Sequence, residues 1–419
     1  GVSKVCITPP VGTWQGGYGA RTSPAQGVHD DLYARAIVLR GGGGSSLESA
    51  VAIVSVDVVG LQRDLADGAR RRAAELTGIP AQNIALCCSH THGGPIFRPF
   101  VGREGPQPDA DYLLLLEKYL AGAVAAAARD LRPVALRLGR GEAHFNVNRR
   151  LKTAEGLMMR PNPEGPVDHE TLVLRVDEVD TSGSARGSSP LAVLFRFSCH
   201  ATAMGANNYL LTADYPGAAA AHIEGAYGEA TTALFLQGCA GDIRPHLKSA
   251  TGGFTGADWT ILDRLGRELG AAVVSGAERT LLVDPTGAAD GPVAVASETV
   301  TLPYDDYPGK ASADEGMPAE VQVLRLGPFC VVTLPGEVFV EIGWRVRDAV
   351  AEQLGIAPSR VIVTAYANGS IGYLPTAAAV QEGGYETTAY QHQGRPAGYV
   401  PHAEDLLVQT AAQVAARVR

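Results

Sequence analysis

The segment Cys88-Ser89-His90-Thr91-His92-Gly93-Gly94-Pro95 places two imidazoles one residue apart at the end of an apolar run. Neutral imidazole ligates metals, and the same ring carries protons near neutral pH. The simplest division of labour puts one histidine on a cation and the other beside it for proton transfer. His200 closes a second apolar run, in Phe197-Ser198-Cys199-His200-Ala201-Thr202, and Glu337 follows Leu334-Pro335-Gly336. Tyr373 lies in Ser370-Ile371-Gly372-Tyr373-Leu374-Pro375. Two imidazoles, a carboxylate and a further oxygen donor suit a zinc site. Zinc held in this way activates water and polarises a carbonyl. Each residue also has an ordinary reading: a satisfied core histidine, a carboxylate favouring the dipole of a helix that it opens, a packing tyrosine. Spacing alone does not bring the four together.

These side chains need a rigid scaffold. Apolar runs predict buried strands at Ala52–Val56, Ile84–Cys88, Ala192–Phe197, Ala233–Leu236, Cys330–Leu334 and Val361–Tyr366. Their continuity, without alternation, points to sheets covered on both faces. Helical periodicity spans Leu61–Leu76, Tyr112–Arg129, Trp259–Arg279, Val338–Leu354 and Ala403–Val418. The expectation is an α/β fold of layered mixed sheets flanked by helices, with residues 1–419 as a single catalytic domain and no internal repeat. Loops are expected at Gly41–Ser46 and Thr181–Pro190, and a longer surface loop, suited to a lid, at Tyr304–Pro318. Polar residues cluster directly after the strands: Asp57, then Ser89, His90 and His92, then His200, Asp242 and Glu337. Strand ends are where α/β proteins expose fixed side chains.

Composition narrows the function. The 419 residues are 46% hydrophobic and carry a net charge of −9, with Lys and Arg scattered, so nucleic acid is not an expected partner. No apolar run reaches the ~18 residues that span a bilayer, so stable membrane insertion is not expected. The six cysteines lack disulfide or zinc-thiolate spacing and are read as buried free thiols. That reading favours a cytoplasmic setting, with a secreted or periplasmic one open if a leader preceded Gly1.

The chain resembles the catalytic domain of the neutral ceramidases, zinc amidases that cleave ceramide to sphingosine and fatty acid. The resemblance rests on Ile7-Thr8-Pro9-Pro10-Val11-Gly12, Gly27-Val28-His29 with Leu32-Tyr33-Ala34-Arg35-Ala36, Ser89-His90-Thr91-His92, Asn146-Val147-Asn148-Arg149, Ser198-Cys199-His200-Ala201-Thr202, Gly241-Asp242, Pro335-Gly336-Glu337 and Asn368-Gly369 through Tyr373. It implies a ceramidase-like fold and one Zn2+ held by His90, His200, Glu337 and Tyr373. It further implies that His92 moves protons, that Arg149 binds the substrate carbonyl or a neighbouring oxygen, and that Tyr385, placed by spacing, polarises that carbonyl. His29 and Asp57 match positions near the site and are expected to orient ligands. Asp242 and Arg244 are expected near the substrate.

Two departures stand out. Ceramidases carry Ser in a Gly-Asp-x-Ser-Pro motif, whereas this chain reads Gly241-Asp242-Ile243-Arg244-Pro245. They also continue into an immunoglobulin-like domain that is not expected here. The segments Gln381–Glu386 and Tyr390–Pro396 are polar. The expectation is therefore a hydrolase of an amide, with ester cleavage close behind. Its small-molecule substrate is expected to be smaller and more polar than ceramide. The alternative is a metal-dependent lyase or glycoside-cleaving enzyme acting on a sugar-like substrate.

Overall fold

The computed structural model describes all residues except 43–45, 100, 102–104, 181–188, 285–286, 288–290 and 306–315. Most of the loops expected at 41–46 and 181–190, and of the lid, lie outside the described residues. The lid region is shorter than expected, because one strand runs through Pro303 and the next begins at Gly316.

Among the described residues three four-stranded sheets form the frame, and they share one layout. In the first, Val2–Cys6, Tyr33–Leu39 and Val51–Val56 pair antiparallel in that order, and Ile84–Cys88 adds parallel to Val51–Val56. In the second, Val134–Glu142, Glu170–Glu178 and Ala192–Phe197 run antiparallel, and Thr232–Gln237 adds parallel. In the third, Val293–Pro303, Gly316–Leu326 and Phe329–Thr333 run antiparallel, and Val361–Thr364 adds parallel. A parallel neighbour needs a crossover. A helix provides it each time: Arg63–Thr77, Asp214–Tyr227 and Val340–Leu354. A further helix follows each fourth strand: Ala110–Arg129, Trp259–Val283 and Ala403–Ala415. The fold thus contains a threefold structural repeat that the sequence reading did not expect. Topology repeats here while residue identities do not, so no sequence period marks it.

The sheets meet face to face. Ile37, Ile53 and Cys87 of the first, Leu174, Leu194 and Leu234 of the second, and Leu324, Val331 and Ile362 of the third form one buried cluster. The opposite faces are covered by the helices, which is why the strands read as continuous apolar runs. Each fully buried leucine of this layer contributes roughly 1.5–3 kcal/mol. Near the strand ends the sheets are stitched by polar contacts. Ser55 Oγ donates to the Phe235 carbonyl at 2.7 Å, Thr364 Oγ1 to the Gln237 carbonyl at 2.9 Å, and Cys88 N to the Tyr366 carbonyl at 3.1 Å. The expected strands and helices match the observed ones within a few residues. The helix Asp214–Tyr227 was not expected: its run of alanines and glycines shows little amphipathic contrast.

Five cysteines are buried and free, while Cys6 is free but exposed. No helix among the described residues is long and apolar enough to cross a membrane.

Asp57 belongs to this frame. Its Oδ2 accepts from Arg35 Nη1 at 2.8 Å and from Tyr33 N at 3.0 Å, both groups being buried. It locks strand ends and makes no hydrogen bond to the histidines it was expected to orient. Removing one partner of a buried pair is strongly destabilising, and Asp57→Ala leaves Arg35 with Glu224 at 3.6 Å. We predict a loss of ~3 kcal/mol in chemical denaturation, with unchanged metal affinity in the folded fraction. Weakened metal binding at wild-type stability would return Asp57 to the site.

Candidate metal centre and active site

Each sheet sends one strand end to the same point. Val51–Val56 and Ile84–Cys88 end together, and His90 leaves its strand with φ 61°. Left-handed backbone is uncommon for a residue with a Cβ and costs on the order of 1 kcal/mol or more. Tyr366 (φ 57°) and Asn368 (φ 55°), after the last strand of the third sheet, share this conformation. The surroundings hold them in place: Asn368 Oδ1 accepts from Leu86 N at 2.9 Å, and His90 N donates to the Val58 carbonyl at 3.0 Å. From the second sheet, His200 N donates to the Ile243 carbonyl at 3.1 Å. From the third, Glu337 pairs in register with Tyr373 in a two-stranded parallel ladder. Glu337 therefore does not open a helix, as the sequence suggested. The helix starts three residues later with Phe339 as its N-cap, and the carboxylate is free of the dipole role.

His90, His200 and Glu337 are buried, with ligand atoms all within 4.8 Å of one another. His90 Nδ1 faces the Val59 carbonyl at 2.6 Å; His200 Nδ1 faces those of Ala240 at 2.6 Å and Ile243 at 2.9 Å. A carbonyl only accepts, so each Nδ1 carries the proton and each Nε2 offers a lone pair. Those lone pairs crowd the carboxylate. His200 Nε2 lies 3.1 Å and His90 Nε2 3.4 Å from Glu337 Oε2, and Tyr373 Oη lies 3.4 Å from His200 Nε2. Donors about 2.1 Å from a tetrahedral zinc ion stand about 3.4 Å apart. The donor set and its spacing fit a zinc-sized cation, and the crowding of lone pairs calls for one.

The surroundings tune these groups. Burial alone raises a carboxyl pKa, but the His90 and His200 rings packed against Glu337 hold it well below its usual range. Burial and the Arg149 charge bring His200 down to about 4. Burial and the neighbouring His90 and His200 keep His92 well below the imidazole range, so it is neutral at pH 7. Burial and Glu337 push Tyr373 well up.

His92 sits one step out, its Nε2 3.3 Å from His90 Nε2, its Nδ1 without a hydrogen-bond partner among the described residues and its ring edge-on to Tyr18 at 4.7 Å. Arg149 occupies a bulge between Asn148 and Arg150, an irregularity that re-aims a side chain. Its Nε donates to Glu386 Oε1 and its Nη2 to the Gly241 carbonyl, both at 2.7 Å, and its guanidinium lies over the rings of Tyr373 (5.3 Å) and Tyr385 (5.8 Å). Two of its nitrogens are thus already engaged, which leaves it less free for a substrate carbonyl than expected. Tyr385 packs edge-on against Tyr373 at 5.6 Å and is half exposed.

Asp242 braces the site. It accepts from Asn148 Nδ2 at 2.9 Å and Val340 N at 3.0 Å, and its carbonyl accepts from Arg149 N at 2.9 Å. Burial raises its carboxyl to about 7. Arg244 lies on the short strand Ile243–Pro245 with its guanidinium 4.3 Å from the Phe254 ring. His29 stands apart. It stacks on Trp259 at 3.7 Å and bonds Asp30 at 2.8 Å, contacts that include no member of the cluster. It was expected to orient ligands because it matches a family position near the site; here its ring is held by Trp259 and Asp30 instead.

Three residues escaped the sequence reading. Glu386 bridges Arg149 and Arg150 at 2.7 Å each; its signal was its place beside Tyr385. Gln393 Nε2 donates to Glu337 Oε1 at 3.2 Å and gave no signal. Tyr366, ring centroid 4.3 Å from that of His90 and hydroxyl unpartnered among the described residues, follows a strand as the other site residues do.

Residues 1–261 match the family described as neutral/alkaline non-lysosomal ceramidase, N-terminal. The chain belongs to that family. Its members are metal-dependent amide hydrolases, and this chain is an enzyme of that class. A neutral ceramidase of Mycobacterium tuberculosis (strain ATCC 25618 / H37Rv) is 24% identical over 462 aligned positions, covering 88% of this chain and 70% of that protein. The crystal structure of the neutral ceramidase from Pseudomonas aeruginosa superposes with a TM-score of 0.76 at 20% identity, over 99% of this chain and 73% of that one. A ceramidase complexed with C2 gives the same TM-score and identity over 100% and 75%. The ceramidase-like α/β fold expected from the sequence is the fold observed.

Gly17 makes room for His92: a Cβ there would lie 2.2 Å from the His92 ring, at φ +84°. Misplacement of a reacting group by 1 Å costs ~100-fold in rate. Gly17→Ala should therefore lower kcat by about that factor while metal content, measured by plasma emission, stays at wild type. Undiminished turnover would show that the His92 position is not critical.

Proposed function

We propose that this chain is a zinc amidase in which His90, His200, Glu337 and Tyr373 hold the ion and His92 carries protons. The reading rests above all on three buried lone-pair donors, with the His200 and His90 nitrogens 3.1 and 3.4 Å from Glu337 Oε2 and all three within 4.8 Å of one another. A bound cation supplies Lewis acidity toward water and the scissile carbonyl. His92, neutral at pH 7, accepts a proton from the attacking water at Nε2 and returns it to the departing nitrogen. Tyr385, its pKa raised by burial and Glu337, stays protonated and donates a hydrogen bond to the carbonyl oxygen. Arg149 keeps positive charge beside both tyrosines, held there by Glu386. The 419 residues act as one catalytic domain.

The substrate in this proposal is smaller and more polar than ceramide. The cavity beside Tyr373 has a volume of about 180 Å³, and Thr387, Thr388, Tyr390 and Arg395 are among its walls. Those hydroxyl and guanidinium groups give a polar wall beside Tyr373, which suits a polar substrate.

The zinc-loaded protein should release free amine from short acyl amides and stop when the metal is chelated. His90→Ala should retain less than about a tenth of an equivalent of zinc. His92→Ala should keep about one equivalent and lose ~10²–10⁴-fold in kcat. Full metal and full activity in both variants would reject the assignment.

A further inference from the structure

Arg244 stands beside the donor cluster without a counter-charge. It follows Ile243, whose carbonyl accepts from both N and Nδ1 of His200, and it pairs in register with Val147, two residues from Arg149. The side chain is largely withdrawn from water. Among the described residues no ion pair engages its guanidinium, and its buried Nε has no hydrogen-bond partner. Phe254 covers one face at 4.3 Å. Burial lowers its pKa, the Tyr18 hydroxyl opposes that shift, and Arg149 adds to it. No carboxylate among the described residues offsets the cost. Removing a cation from water without a partner is unfavourable, and the neighbouring Arg149 charge adds repulsion. Several buried arginines of this protein meet acids, as Arg35 meets Asp57, Arg70 meets Glu320 and Arg196 meets Asp168; among the described residues Arg244 shares the lack of one with Arg395. A site left charged in this way is complete when a ligand brings the anion.

Position says which half of the substrate carries it. Tyr18 lies between the two: its neutral hydroxyl acts on the Arg244 guanidinium, and its ring packs edge-on to His92 at 4.7 Å. In the amidase reading, on which this inference rests, His92 hands its proton to the departing nitrogen. The guanidinium therefore lies toward the amine half. A single planar fork matches a singly charged carboxylate.

We propose that Arg244 binds a carboxylate on the amine half of the substrate, so that the enzyme hydrolyses N-acylated amino acids in preference to neutral amides. The reaction balances with water alone. Water oxygen bonds to the acyl carbon, the C–N bond breaks, and the nitrogen leaves protonated as the free amino acid beside a carboxylic acid.

N-hexanoylglycine and N-hexanoylglycinamide differ only in this charge. Wild type should favour the acid by about 100-fold in kcat/KM, mostly through KM, because a site built around an anion rejects the neutral analogue. Arg244→Met should reduce the ratio to within about threefold, and Arg244→Lys should restore part of it. Calorimetric binding of the uncleavable N-hexylglycine should weaken at least about tenfold in Arg244→Met. That readout does not depend on turnover, so it separates this inference from the amidase assignment. The melting temperature of Arg244→Met should equal or exceed that of wild type, as expected when an unneutralised cation is removed. A wild type indifferent to the carboxylate, or a preference that survives in Arg244→Met, overturns the proposal. A lowered melting temperature with the preference intact makes Arg244 structural and overturns it equally.

Discussion

The structure turns on a repulsion that needs an answer. Two imidazole nitrogens, both with their lone pairs turned inward by backbone carbonyls, face a carboxylate oxygen at 3.1 and 3.4 Å in a buried site. No proton can be shared between an unprotonated Nε2 and an ionised carboxylate. Left alone, the arrangement would spread apart or take up protons. With a cation among them the same distances become the edges of a coordination polyhedron. Much of the surrounding architecture holds these groups at that spacing.

The threefold layout explains how this is done. Each sheet ends in a parallel pair joined by a helix, and the strand ends of all three gather at one pole of the shared apolar core. The first sheet delivers His90, the second His200, and the third Glu337 with Tyr373 across a two-residue ladder. A cation bound there ties three units that otherwise meet through leucine and isoleucine packing and a few hydrogen bonds. The left-handed residues His90, Tyr366 and Asn368 sit where the chain must turn sharply to keep its side chain in the cluster. Buried polar contacts around these groups then fix the arrangement. Asp242 joins the strand carrying Arg149 to the helix after Glu337, and Glu386 anchors the segment bearing Tyr385 to Arg149 and Arg150.

How much of this could be read in the sequence depended on the range of the signal. The strands Ile84–Cys88 and Ala192–Phe197 were legible because both faces are buried, and the polar residues that follow them stood out by contrast. Strands such as Val134–Glu142 and Glu170–Glu178 were not, since Arg137, Arg175 and Asp177 interrupt the apolar run and pair only in the fold. Among the site residues, His90, His200, Glu337 and Tyr373 were named through the family resemblance, and their convergence was invisible to spacing. Glu386 and Gln393 were missed because a carboxylate or an amide in a polar segment has no local signature. Asp57 and His29 were expected to orient ligands because they match family positions, yet a matched position does not fix a side chain's partner: one locks Arg35, the other stacks on Trp259.

X-ray absorption at the zinc K edge of the loaded protein tests the central claim most directly. The account predicts one ion per chain with nitrogen and oxygen neighbours alone at about 2.0–2.1 Å, and outer-shell scattering from two imidazole rings. Sulfur at about 2.3 Å, or the absence of imidazole scattering, would contradict it.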